Sequence, residues 1–67
     1  MALVKYLTYR FHVCVQLPPA ASLIPAAGFL TYDDAHQFAR SEHGNVPGRE
    51  VRVYDVVTDE FVLTLEP

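Results

Sequence analysis

Three histidines and one cysteine are the side chains of this sequence that could hold a metal ion. They are His12, Cys14, His36 and His43. On a helix, His36 and His43 would lie about 10 Å apart along the axis, whereas the ligand atoms of one zinc ion lie about 2 Å from it. His12 and Cys14 would share one face of a strand, but no second pair with ligand spacing accompanies them. We therefore expect no metal site and no cofactor.

The same residues offer little for covalent catalysis. A nucleophile needs an adjacent base and a third group that orients the base, and Cys14 beside His12 supplies at most the first two. The sequence contains no G-x-S-x-G, no glycine-rich phosphate loop and no H-E-x-x-H motif. Asp33 and Asp34 diverge by about 100° on a helix, and a role at the helix start already explains them. We expect no enzymatic activity.

The charge balance argues against nucleic acid as the partner. Five Lys and Arg residues against eight Asp and Glu residues give a net charge of −3. Tyr6, Arg10 and Tyr54 could together form a stacking surface for bases, but phosphate contacts dominate such affinity and the cations form no basic stripe. We therefore favour a protein partner, and a small nucleic-acid-binding regulator is the alternative function.

Length and composition limit the chain to a single small domain, residues 1–67. Hydrophobic residues make up 51% of the sequence, too many for a disordered tail. No apolar run approaches the roughly 18 residues of a membrane span, and the first residues do not resemble a secretory signal. The lone Cys14 cannot form an internal disulfide, so we expect a reducing, cytoplasmic location.

Alternating polar and apolar residues predict strands at both ends of the chain. Residues 3–17 alternate over their whole length, which predicts a strand bent near Thr8 with its odd-numbered residues facing the core. The proline-rich segment 18–28 is expected to be a surface loop. Residues 50–57 and 61–65 predict two further strands, joined by a short turn in which Asp59 takes a positive φ.

A capping box predicts the helix between these strands. Thr31 is the expected N-cap, Asp34 lies three residues later, and the helix should run over residues 32–43 and end at Gly44. Its apolar stripe is narrow, with Phe38 as the main anchor between two alanines. The resulting fold class is α+β, in β-α-β-β order, with three or four mainly antiparallel strands and one helix packed on one face.

One helix can cover one face of such a sheet, so the other face should be open. Unless the 18–28 loop covers it, the open face mixes aromatic, aliphatic and polar groups and should associate with another chain. The partner is either a different protein or a second copy that forms an oligomer. The expected contact residues are Tyr6, Arg10, His12 and Tyr54 on the open face, with Asp55, Asp59 and Glu60 as an acidic group near the hairpin.

Three segments carry a resemblance to a known class of proteins: residues 30–40 (LTYDDAHQFAR), 51–55 (VRVYD) and 58–61 (TDEF). They resemble small phage and prophage accessory proteins, including some anti-CRISPR proteins, except that Asp59 replaces the usual turn glycine. The resemblance spans residues 30–61 and transfers no functional residue. It implies a stand-alone interaction protein, and we expect a non-catalytic inhibitor or modulator of a host nucleic-acid-handling complex. A self-assembling structural subunit is a further alternative.

Overall fold

Four antiparallel strands and one helix make up the fold in a computed structural model, which describes residues 9–17 and 22–67. The elements are β1 (Phe11–Leu17), β2 (Ser22–Phe29), α1 (Tyr32–Asn45), β3 (Val51–Asp55) and β4 (Glu60–Leu65). The strands form one sheet in the order β2-β1-β3-β4. This confirms the α+β class with a four-stranded sheet. Tyr6 and the expected bend near Thr8 lie outside the described residues.

The segment expected to be a loop contributes a strand. β2 pairs antiparallel with β1 from Leu17↔Ser22 to Phe11↔Phe29, so the chain continues the sheet at its edge instead of crossing over a face. The register shifts between Val13, which pairs with Ala27, and Cys14, which pairs with Pro25. Ala26 is therefore the extra residue of a β-bulge in β2. The element order is therefore β-β-α-β-β. Edge strands tolerate proline and glycine, which is why a segment of low strand propensity can occupy this position.

The core lies between α1 and the facing side of the sheet. Alternate residues of β1 and β3 meet two alanines of the helix there, in a cluster made of Phe11, Val13, Val15, Ala35, Ala39, Val51 and Val53. The prediction that the odd-numbered residues of the first strand face the core is confirmed from Phe11 to Val15. Phe38 packs on the edge of this cluster against Phe29, with ring centroids 5.3 Å apart.

The helix begins as its capping box predicts and ends later than expected. The Thr31 hydroxyl accepts a hydrogen bond from the Asp34 amide at 3.3 Å. Gly44 lies inside the helix, which continues to Asn45, and the Val46 amide donates to the Glu42 carbonyl. The chain then turns at Gly48, whose φ of 85° is the positive value that a type II Pro-Gly turn requires.

The C-terminal hairpin forms where it was predicted. β3 and β4 pair from Val51↔Leu65 to Asp55↔Glu60. Asp59 takes a φ of 57°, as expected for the turn. A register shift opposite Tyr54 leaves Val62 as the extra residue of a bulge.

Candidate protein-binding surface

A row of side chains crosses the sheet on the side opposite α1, which we call the helix-free face. Residues directly opposite each other in an antiparallel pair point to the same side, so the register aligns Gly28, His12, Tyr54 and Phe61 in one row. The Tyr54 ring lies 5.4 Å from that of Phe61, edge to face, and 6.4 Å from the His12 ring. The face therefore carries a chain of aromatic contacts that ends at β4.

The centre of the helix-free face is more buried than the sequence suggested. His12 is 9% exposed and Cys14 is 8% exposed, so neither offers a large contact area to a partner. His12 Nε2 lies 3.1 Å from the Tyr9 carbonyl oxygen. The expectation that this face is open along all of the first strand is therefore incorrect for these two residues. The described part of the proline-bounded segment, from Ser22 onward, forms β2 beside them.

Burial also determines the chemistry of the one cysteine. Desolvation raises the pKa of the Cys14 thiol above its ordinary value, so the protonated form is favoured. The thiolate is the nucleophilic form of cysteine. A buried thiol with a raised pKa is typical of a structural position in a core.

Arg10 and Asp55, both expected to contact a partner, form an ion pair with each other. Arg10 Nε and Nη2 donate to the two carboxylate oxygens of Asp55 at 3.1 and 3.0 Å. Asp55 is 3% exposed and lies opposite Phe11 on the helix side of the sheet. Its carboxylate also accepts the Val57 amide at 2.9 Å. The hydrogen bonds from Arg10 lower the pKa of Asp55. The ionised carboxylate thus links Arg10 to the Val57 amide at the start of the hairpin turn.

Three of the seven exposed large hydrophobic side chains among the described residues lie at the hairpin. Val57 is 70% exposed, Phe61 45% and Val62 40%. The exposed carboxylates of Asp59 and Glu60 lie between them in the chain. We call these five residues the hairpin patch. It contains two of the residues predicted from the sequence, and Tyr54 borders it through its contact with Phe61.

The apolar members of the hairpin patch were not predicted from the sequence. Phe61 and Val57 were expected only as residues of the two C-terminal strands, and neither was expected to contact a partner. The signal that could have identified Val57 is its position beside Thr58 and Asp59, because a large aliphatic residue in a tight turn has no neighbour to cover it.

The outer edge of β4 presents unpaired backbone groups. The Gln16 amide donates to the Glu50 carbonyl, and the Val56 amide donates to the Arg10 carbonyl, so even-numbered residues of β3 hydrogen-bond to β1. The odd-numbered residues Val51 and Val53 must then bond to Leu65 and Leu63 of β4. By the same alternation, the N–H and C=O groups of Thr64 point away from the sheet. No described strand pairs with this edge.

The described part of the chain shows no feature typical of a metal or small-molecule site. Among residues 9–17 and 22–67, no three His, Cys, Asp or Glu side chains come together as a metal site would require. A cleft of about 170 Å³ lies beside the end of α1, lined by Val15, Ile24, Pro25, Ala26, Glu42 and Arg49. That volume is below the roughly 300 Å³ at which ligand pockets begin. Within the same residues, no helix has the length and apolar character to cross a membrane.

Comparison of the chain with protein-family models, with curated proteins and with solved structures gives no match in any of the three. The resemblance to phage accessory proteins therefore stays a prediction.

Proposed function

We propose that this chain is a non-catalytic protein-binding module whose partner docks on the hairpin patch. The observation that carries the proposal is the exposure of Val57, Phe61 and Val62 in one short stretch of chain. Exposed apolar groups rimmed by polar ones are typical of protein interaction sites. Asp59 and Glu60 supply that polar rim.

The charges of the described residues favour a protein partner over nucleic acid. Arg10 is bound to Asp55, and Arg52 donates to Glu50 at 3.0 Å. The hairpin patch carries two carboxylates, and the cation beside it, Arg52, lies 5.0 Å from the Phe61 ring and is already paired with Glu50. A phosphate backbone would be repelled there, whereas a basic protein surface would be attracted.

The finer proposal concerns the identity of the partner. The resemblance of residues 30–61 to phage accessory proteins favours a host complex that handles nucleic acid, with this chain as its inhibitor or modulator. Such complexes present basic surfaces, to which an acidic and apolar patch is complementary.

Two matched variants test the docking surface. Val57 and Leu30 are 70% and 69% exposed, and they lie in different parts of the fold. The wild type, Val57→Asp and Leu30→Asp proteins are immobilised and exposed to a lysate of the source cells, and the retained proteins are quantified by mass spectrometry. We expect a partner that the wild type and Leu30→Asp retain and that Val57→Asp loses.

Retention of the same proteins by all three variants would contradict the hairpin patch as the docking site. A titration with mixed-sequence DNA and RNA tests the alternative function. Binding at micromolar strength that weakens steeply with salt would favour a nucleic-acid-binding regulator over a protein-binding module.

A further inference from the structure

We propose that the outer edge of β4 takes up an extended segment of the partner protein as a fifth strand, and that this segment carries basic residues at both ends. The inference rests on the proposed protein-binding function and specifies the chemistry of the partner. It follows from three features of β4: the direction of its backbone groups, the distribution of its charges and the regular, proline-free and lysine-free second half of the strand.

The backbone geometry supplies the hydrogen bonds. Thr64 directs its N–H and C=O away from β3, because Leu63 and Leu65 use theirs for the ladder with Val53 and Val51. An extended segment laid alongside would exchange a pair of hydrogen bonds with Thr64. Strand addition to a free sheet edge is a recurrent mode of peptide recognition.

Edge strands that avoid such pairing usually carry lysine, proline, an inward-pointing charge or a bulge. Between Phe61 and Leu65, β4 has only the last of these. Its one irregularity is the bulge at Val62, which lies toward the turn and leaves Leu63 to Leu65 regular. The strand is therefore open to pairing over its second half.

The charges decide which segment fits. Glu60 stands at one end of β4 and Glu66 follows the other end, and residues 57–67 contain no Lys, Arg or His. A second copy paired antiparallel over this strand would bring Glu60 and Glu66 of both molecules, four carboxylates in all, to one strand pair. Like charges that face one another across a strand pair destabilise it. A segment with lysine or arginine at both ends would instead bring two cations to the two carboxylates.

A defined peptide tests the inference. The probe is an acetylated and amidated heptapeptide with lysine at both ends and alternating valine and threonine between them. Added to the isotope-labelled full chain, it should shift the Thr64 amide resonance and slow the hydrogen exchange of that amide. A matched peptide with glutamate at both ends should bind at least about tenfold more weakly, and added salt should reduce the difference.

A variant tests the hydrogen bond independently of charge. Thr64→Pro removes an N–H that the ladder with β3 does not use, so the fold should be retained, as monitored by circular dichroism. The variant should bind the lysine peptide at least about tenfold more weakly. Thr64→Val keeps the N–H and should bind like the wild type. The Thr64 amide measurement on the wild type decides the question if Thr64→Pro does not fold.

Three results would overturn the inference: no change at the Thr64 amide with millimolar lysine peptide, equal binding of the two peptides, or a chain that dimerises through this edge without peptide. The lysate experiment separates the two proposals. If Val57→Asp loses a partner that Thr64→Pro still retains, the partner docks on the hairpin patch without adding a strand, and the proposed function stands.

Discussion

The ring of Tyr9, two residues before β1, packs directly on Gly28 of β2. A Cβ atom placed on Gly28 would come within 2.6 to 2.9 Å of the Tyr9 ring and its Cβ. Gly28 pairs with His12, and the His12 imidazole lies 3.1 Å from the Tyr9 carbonyl oxygen. The absence of a side chain at Gly28 thus allows an aromatic residue to cover the edge of the helix-free face, as in other sheets where an aromatic ring packs on a strand glycine.

This contact predicts that the effect of a substitution at Gly28 on the free energy of unfolding depends on the residue at position 9. Gly28→Ala should lower the free energy of unfolding by about 1–3 kcal/mol, because the new methyl group overlaps the Tyr9 ring. In a Tyr9→Ala background the same substitution should cost less than about 0.5 kcal/mol. Urea unfolding of the four proteins gives the double-mutant cycle. Equal costs in both backgrounds would show that Tyr9 does not pack on Gly28.

The Arg10–Asp55 pair predicts a dependence of stability on pH. Arg10 lowers the pKa of Asp55 in the folded state below its ordinary value, so the folded state favours the ionised carboxylate more than the unfolded state does. The stabilisation is therefore present above about pH 4 and is lost as the pH falls through the lowered pKa. Urea unfolding midpoints measured from pH 7 to pH 2 report this loss of stability in acid, which we call the acid limb.

Two asparagine substitutions separate Asp55 from the other carboxylates. Asp55→Asn should be less stable than the wild type at neutral pH and should show a shallower loss of stability in acid. Asp59→Asn, at an exposed turn residue, should keep the wild-type acid limb. An unchanged acid limb in Asp55→Asn would assign the acid dependence to other groups.

The burial of Cys14 predicts slow reaction of its thiol. Its pKa is raised by desolvation and the side chain is 8% exposed, so little thiolate meets solvent. Iodoacetamide at pH 8 should modify the folded chain at least about tenfold more slowly than the chain in urea. Mass spectrometry over time measures both rates. Rapid modification of the folded chain would indicate an accessible thiol and reopen the question of its reactivity.

Because α1 packs on the sheet through the small side chains of Ala35 and Ala39, the space between helix and sheet should be too small for a larger residue. Ala39 is fully buried against the sheet, whereas Gln37 is exposed on the opposite side of the helix. Ala39→Leu should lower the free energy of unfolding by about 1–3 kcal/mol through overpacking. Gln37→Leu should change it by less than about 0.5 kcal/mol. Thermal or urea unfolding compares the two, and a neutral Ala39→Leu would show that the helix can move away from the sheet.

The helix start and the C-terminal hairpin could be predicted because they depend on residues that are close together in the sequence. The Thr31 cap and the positive φ of Asp59 each involve only residues within a few positions, so a short stretch of sequence is enough to predict them. β2 was not predictable in this way. Pro25 and its small neighbours have low strand propensity, and what makes them a strand is pairing with the free edge of β1.

The candidate site was predictable only in part, for the same physical reason. Asp59 and Glu60 are exposed because they lie at a turn, which the sequence indicates directly. The pairing of Arg10 with Asp55 joins residues 45 positions apart, and no local pattern predicts such a contact. The burial of His12 likewise depends on how the whole sheet is assembled.

Pro25 makes the two edges of the sheet unequal. By the alternation along β1, Val15 hydrogen-bonds to Ile24, so the Pro25 nitrogen is directed outward and supplies no N–H to a further strand. Thr64, on the opposite edge, keeps its outward N–H. A further strand should therefore be held more weakly along β2 than along β4, which disfavours fibres that grow through both edges of each molecule.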